Sequence, residues 1–137
     1  MYKHLDGSSY EGQWQNNKPS GFGNLNFKNV FNYTGDFING LKQGKGKIIY
    51  DDGSTYDGDF ENDKFHGNGL YKWKDGRSYE GEWKFGLMDG QGVHVWPDGK
   101  KYIGEYRENK KWGKGKIVKD GNVREGIWND GKLVQEI

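Results

Sequence analysis

The sequence predicts an all-β protein, an elongated single-layer antiparallel sheet of stacked β-hairpins, on three observations. The chain of 137 residues carries 24 glycines and no alanine, yet 6 Trp, 9 Tyr and 7 Phe supply most of its apolar area. The pair Tyr-x-Gly recurs every 23 residues, at Tyr10/Gly12, Tyr33/Gly35, Tyr56/Gly58, Tyr79/Gly81 and Tyr102/Gly104. Turn signals, Asp-Gly or Asn-rich, separate runs in which rings alternate with polar residues.

Composition excludes the other classes. Helices are built from Ala and Leu, and each interior Gly costs them about 1 kcal/mol. The mean hydropathy of −1.13 would suit a disordered chain, but disordered segments lack aromatic residues and this chain is 16% aromatic. No run approaches the length of a membrane span and no signal-peptide core opens the chain, so a cytoplasmic protein is expected. Absence of cysteine removes disulfides and thiolate chemistry. With 21 basic and 20 acidic residues, no global field draws the chain to nucleic acid. No cofactor is implied.

Each unit is read from its first ring. Four positions after each Tyr stands a second ring, at Trp14, Phe37, Phe60, Trp83 and Tyr106. Ring, glycine and ring at offsets 0, 2 and 4 share one face of a strand, while polar residues such as Glu11/Gln13 and Glu80/Glu82 take the other. An Asn-rich turn follows, as in Glu61-Asn62-Asp63-Lys64. A second strand is expected to start in a Gly-x-Gly, such as Gly67/Gly69, and to continue through offsets 15 and 17. Those two offsets hold Leu25/Phe27, Ile48/Tyr50, Tyr71/Trp73, His94/Trp96 and Ile117/Lys119. Asp-Gly closes the unit at Asp52, Asp75, Asp98 and Asp120, whereas Asn29-Val30 stands there in the first complete unit and predicts a differently shaped turn. The chain divides into a partial repeat 1–9, repeats 10–32, 33–55, 56–78, 79–101 and 102–123, and a C-terminal half-repeat or cap 124–137. It thus starts within a repeat, which leaves open the alternative of a regulatory array in a larger enzyme. Arg124 stands where Tyr is expected, one residue out of step. Ring-over-glycine contacts are expected to replace a globular interior, and five repeats at about 4.8 Å per strand would extend roughly 50 Å.

The unit Tyr79-Glu80-Gly81-Glu82-Trp83-Lys84, running to Gly90-Gln91-Gly92 and Asp98-Gly99, resembles the MORN repeat (membrane occupation and recognition nexus), over about residues 2–131. The resemblance implies a twisted or curved, solenoid-like rod with a groove on one face. It further implies a scaffold or adaptor in cytoskeletal, ciliary, junctional or membrane-apposed assemblies, holding a partner segment or binding phosphoinositides. In some members of the family the array is a non-catalytic appendage of an enzyme.

Candidate chemistry follows the two faces. His4, His66 and His94 fall at different repeat offsets and would not converge on a metal. The pairs Asp57/Asp59 and Glu80/Glu82 repeat because the polar face repeats, so they are read as a solvated face rather than a catalytic dyad. No catalytic residue is assigned and no enzyme activity is expected. Asn32-Tyr33-Thr34 matches a glycosylation sequon and is expected to be idle. A partner groove, taking a helical or extended protein segment, is predicted at Phe60, Tyr71, Trp73, Trp83, His94 and Trp96, where the bulkiest side chains fall mid-array. The Tyr-x-Gly-x-ring set is expected to be consumed by stacking, whereas the offset of Trp73 and Trp96 varies from Phe27 to Lys119 and so is free for recognition. Residues 51–63 hold six acids and no base, and 100–119 hold eight bases. Lys100, Lys101, Arg107, Lys110, Lys111, Lys114 and Lys116 are therefore candidates for an anionic lipid surface or an acidic partner. An open C-terminal strand around Arg124–Trp128, with Trp128, Leu133 and Val134, predicts a homodimer through that end.

Overall fold

Turn chemistry decides the architecture. In the computed structural model, which describes residues 2–3 and 7–137, thirteen strands form one antiparallel sheet in chain order. They are β1 (Tyr2–Lys3), β2 (Ser8–Gln15), β3 (Lys18–Phe27), β4 (Phe31–Ile38), β5 (Leu41–Tyr50), β6 (Thr55–Glu61) and β7 (Lys64–Lys72). There follow β8 (Ser78–Lys84), β9 (Leu87–Val95), β10 (Lys101–Arg107), β11 (Lys110–Lys119), β12 (Asn122–Asn129) and β13 (Lys132–Glu136). His4 and Asp6 lie outside the described residues.

Within each repeat the turn has two residues, both with positive φ: Asn16-Asn17, Asn39-Gly40, Asn62-Asp63, Phe85-Gly86 and Glu108-Asn109. That is the type I′ geometry whose twist matches the flanking strands. Because it closes so tightly, Ile38 pairs with Leu41 directly, and the second strand begins at Leu41, before the Gly-x-Gly at which the sequence placed its start. Between repeats a hydrogen bond closes a three-residue loop, as at Asp51-Asp52-Gly53, where Tyr50 N–H donates to the Ser54 carbonyl at 2.8 Å, Gly53 N–H donates to the Tyr50 carbonyl at 3.0 Å and Gly53 takes the left-handed conformation. The link after Phe27 differs as expected: the left-handed residue is Asn29, because β-branched Val30 does not tolerate that conformation. The last link, Asp120-Gly121, has two residues with Lys119 paired to Asn122. The one-residue slip in the sequence is thus a shortened turn, and the ladder continues past it unbroken.

The interior is a line of rings. Tyr33, Tyr56, Tyr79 and Tyr102 are wholly buried although only one sheet layer exists. Each lies over a pair of glycines facing each other across the hairpin, such as Gly58 and Gly69 beneath Tyr56. The register jumps after the first glycine: Asp59 alone stands opposite His66, Gly67 and Asn68, so β7 carries the bulge, with Gly67 in the left-handed conformation, and the Tyr56 hydroxyl donates to the Asp59 carbonyl at 2.7 Å. The same bond joins Tyr10 to Gln13, Tyr33 to Asp36, Tyr79 to Glu82 and Tyr102 to Glu105. The second ring of each repeat stands edge-on to its own Tyr and to the Tyr of the repeat before: Phe37 lies 5.0 Å from Tyr33 and 5.3 Å from Tyr10. This edge-to-face zigzag passes through Phe60, Trp83 and Tyr106 and ends with Trp128 on Tyr102. Such pairs contribute about 0.5–1.5 kcal/mol each beyond burial, and they couple every repeat to its neighbour.

Candidate functional site

The rings of this face fall into two sets. Phe60 and Trp83 belong to the zigzag, are nearly inaccessible, and offer no surface; the Trp83 indole N–H donates to the Gly69 carbonyl at 3.1 Å. Their assignment to an open groove is therefore corrected, since each ring is enclosed between two tyrosines. Outside the zigzag runs a rim of half-buried rings: Phe27 and Phe31, Tyr50, Tyr71, Trp73 and Trp96. Neighbours along it are in contact, Tyr50 with Tyr71 at 6.4 Å and Tyr71 with Trp73 at 4.8 Å.

At mid-array the rim becomes a stack. The His94 imidazole lies parallel to Trp73 at 5.1 Å and to Trp96 at 4.1 Å. The Arg77 guanidinium sits over Trp73 at 4.6 Å and the Lys100 amine over Trp96 at 4.4 Å. Local chemistry places both cations: Asp75 and Asp98 accept the backbone N–H groups of Arg77 and Lys100, which holds the loop so that residue 77 or 100 returns over the indole four positions earlier. Sequence reasoning overlooked Arg77. The signal was present as Trp-x-x-x-cation, at Trp73/Arg77 and Trp96/Lys100.

His94 is a spacer rather than a contact residue. It is buried, its Nδ1 lies 2.9 Å from the Tyr106 hydroxyl, and its Nε2 is buried with no partner among the described residues. Burial first, then the nearby Arg77 and Lys111 charges, push its pKa down to about 4, so the imidazole is neutral at neutral pH. Lys111 joins from the next repeat, with its amine 5.4 Å from Trp96, 5.5 Å from Tyr102 and 5.6 Å from Trp128. Burial lowers its pKa, and the Lys100 charge adds to the effect.

The basic run of 100–119 does not form one surface. Strand alternation sends Lys100 and Lys111 to the ring face, and Lys101, Arg107, Lys114 and Lys116 to the opposite one. Several are already engaged: Lys110 with Asp130 at 2.8 Å, Lys114 with Glu125 at 3.9 Å, Lys119 with Asp98 at 3.3 Å, and Arg107 over the Trp112 ring. Among the described residues Lys100 and Lys111 have no carboxylate within ion-pair distance.

The C-terminal edge also differs from expectation. Arg124–Trp128 is not open, because the Asp130-Gly131 turn folds β13 back along β12. Trp128 is buried and donates its indole N–H to the Gly115 carbonyl. Leu133 covers Gly126 where a tyrosine stands in the other repeats, and Val134 is exposed on the true edge strand. Several of the remaining polar residues have structural partners. Asp59 accepts from Asn68 N–H and pairs with Lys45, Glu82 accepts from Gln91 N–H, and Asn32 is hydrogen-bonded to Asn24. His66 accepts from Phe85 N–H and faces Glu61 at 3.1 Å, apart from His94. No cluster of three or more His, Cys, Asp or Glu residues able to hold a metal is found among the described residues.

A family model described as MORN repeat matches residues 10–29, 33–55, 56–76, 79–101 and 102–123. Among curated proteins none matches the chain.

Proposed function

The chain belongs to the MORN repeat family, whose repeats are non-catalytic modules of protein and membrane interaction, and from that premise we propose that it is a scaffold without catalytic activity that holds a segment of a partner protein on its ring face. The observation that carries this reading is the position of Trp73 and Trp96. They lie outside the zigzag that holds the sheet together, yet they are kept half-exposed in a fixed orientation by His94, Arg77 and Lys100. Large rigid aromatics presented this way are the usual anchors of an interface. The occupant is a helical or extended segment, and the assembly served is cytoplasmic, cytoskeletal or membrane-apposed.

The test is capture of partner from a lysate by the full chain and by the Trp73→Ala/Trp96→Ala double variant. The variant is expected to keep its far-UV spectrum and lose the captured band; retention of that band would reject the ring-face assignment. The alternative reading, a peripheral membrane module using Lys110, Lys111 and Lys114, has less support because these residues are divided between two faces and ion pairs. It requires salt-sensitive co-sedimentation with anionic liposomes that charge reversal of those lysines abolishes. A third reading, an array serving a larger enzyme, has no feature of its own in the structure.

A further inference from the structure

Resting on the ring-face reading, we infer that the segment held there is acidic, with its carboxylates set against Lys100, Lys111 and the outward edges of Trp73 and Trp96. Each indole already has an imidazole parallel to it and a cation over its ring. With the π-faces engaged, the rings offer a partner their edges, the electropositive part of the aromatic quadrupole.

The indole N–H groups point the same way. Trp83 and Trp128, built into the zigzag, donate theirs to carbonyls. Those of Trp73 and Trp96 have no acceptor among the described residues and are not fully buried. The patch is therefore made of donors: two indole N–H groups, ring edges, and the unpaired ammonium groups of Lys100 and Lys111. Arg77 adds a third cation, shared with Asp75 at 2.9 Å. A basic or purely apolar segment laid here would strip water from these donors and return nothing, whereas carboxylates satisfy them. The Tyr71 and Tyr50 rings alongside take the apolar side chains of the same segment.

Single-stranded nucleic acid is the other anionic polymer with a use for aromatic residues, but its bases bind by stacking on open ring faces. Here those faces are engaged. The carboxylates of Asp51, Asp52 and Asp75 also line the loops beside Tyr50 and Trp73; a phosphate backbone, charged at every step, cannot avoid them, whereas a peptide sets neutral residues there and keeps its carboxylates at Lys100 and Lys111.

A displayed library of random peptides is panned on the full chain, on Lys100→Glu, on Lys111→Gln and on Trp73→Ala/Trp96→Ala, each checked for folding by far-UV circular dichroism. Peptides enriched by the unaltered chain are expected to be richer in Asp and Glu than the input. Synthesised singly, they are expected to lose roughly tenfold in affinity to Lys100→Glu and to weaken as salt rises from about 50 to about 500 mM. Lys100→Glu, on a loop, serves should Lys111→Gln fail to fold. Enrichment of neutral or basic peptides that still require Trp73 and Trp96 would overturn the acidic occupant and leave the ring-face reading standing. Enrichment indifferent to the tryptophans, or none at all, would overturn both. Tighter, tryptophan-dependent binding of a single-stranded DNA oligonucleotide would overturn the peptide in favour of nucleic acid.

Discussion

Replacing Gly69 by alanine tests the ring-over-glycine principle at its tightest point. A Cβ built on Gly69 meets Tyr56 at 2.2 Å from Oη, 2.4 Å from Cζ and 2.5 Å from Cε2. The Tyr56 ring has nowhere to retreat. It is fully buried, stacked on Phe65 at 3.9 Å, edge-on to Phe60 at 5.1 Å and to Trp83 at 5.6 Å, and hydrogen-bonded to the Asp59 carbonyl. Displacing it gives up a hydrogen bond contributing about 1 kcal/mol and weakens ring pairs contributing about 0.5–1.5 kcal/mol each. Overpacking by one methyl adds strain of about 1–3 kcal/mol. The expected loss is about 3–5 kcal/mol, a third or more of a typical domain's stability. Trp83 both abuts Tyr56 and bonds to the Gly69 carbonyl, so the change also uncouples the repeats on either side. Gly53→Ala is the control, since a Cβ there meets nothing within 4 Å and the cost is only that of a left-handed alanine at φ 96°, about 1 kcal/mol. Urea unfolding, followed by tryptophan fluorescence and far-UV dichroism, should show Gly69→Ala lowering the midpoint by more than about 1 M and broadening the transition. If Gly69→Ala is no worse than Gly53→Ala, the account of what holds this sheet together is wrong.

Two further expectations concern acid and self-association. Burial holds the His94 imidazole down to about 4 in the folded chain, below the ordinary 6.5 to which unfolding returns it, so the unfolded chain takes up a proton that the folded chain refuses. Stability should fall as pH drops from about 6.5 to about 4 and then level off, by up to about 3 kcal/mol from this group; His94→Gln should remove that part of the slope, and identical slopes in the two proteins would show that the imidazole is not kept neutral by burial. At the C-terminal end β13 is the exposed edge, so any homodimer formed there should revert to the 15.8 kDa monomer in Val134→Pro. Light scattering that finds the unaltered chain monomeric at high micromolar concentration would reject the dimer.

The period and the alternation of the sequence were enough to lay out the hairpins, because every Tyr-x-Gly-x-ring triplet obeys the two-residue repeat of a strand. Depth was not legible in the same pattern. Phe60, Trp83, Trp73 and Trp96 all point to one face, and only the through-space position of the neighbouring tyrosines decides that the first two are enclosed and the last two are not. The tyrosine hydrogen bond was hidden for a related reason: the bond from Tyr56 to the Asp59 carbonyl links residues on opposite faces of an ideal strand, and alternation alone gives no cause to join them. The lysines of 100–119 misled because nearness in sequence is not nearness on a sheet. Lys110 and Lys111 are adjacent in the chain, yet one is engaged with Asp130 at a turn and the other lies over three rings.

The arrangement that spares this protein a second layer also sets the step at which it can be read by a partner. Tyrosine and glycine positions are locked to one another by contact, so chemical variety is confined to the rim, where Phe27, Tyr50, Trp73, Trp96 and Lys119 succeed one another. Successive rim positions are two strands apart, about 9.6 Å. An extended segment advances about 3.3 Å per residue and a helix about 1.5 Å, so a partner lying along the rim returns to it every third residue if extended and every six or seven if helical. Peptides selected on this face should therefore carry acidic and apolar residues at one of those two intervals, and the interval identifies the bound conformation. Selected peptides with no such spacing would mean that the stack acts alone, as a single anchoring point rather than one step of a rail.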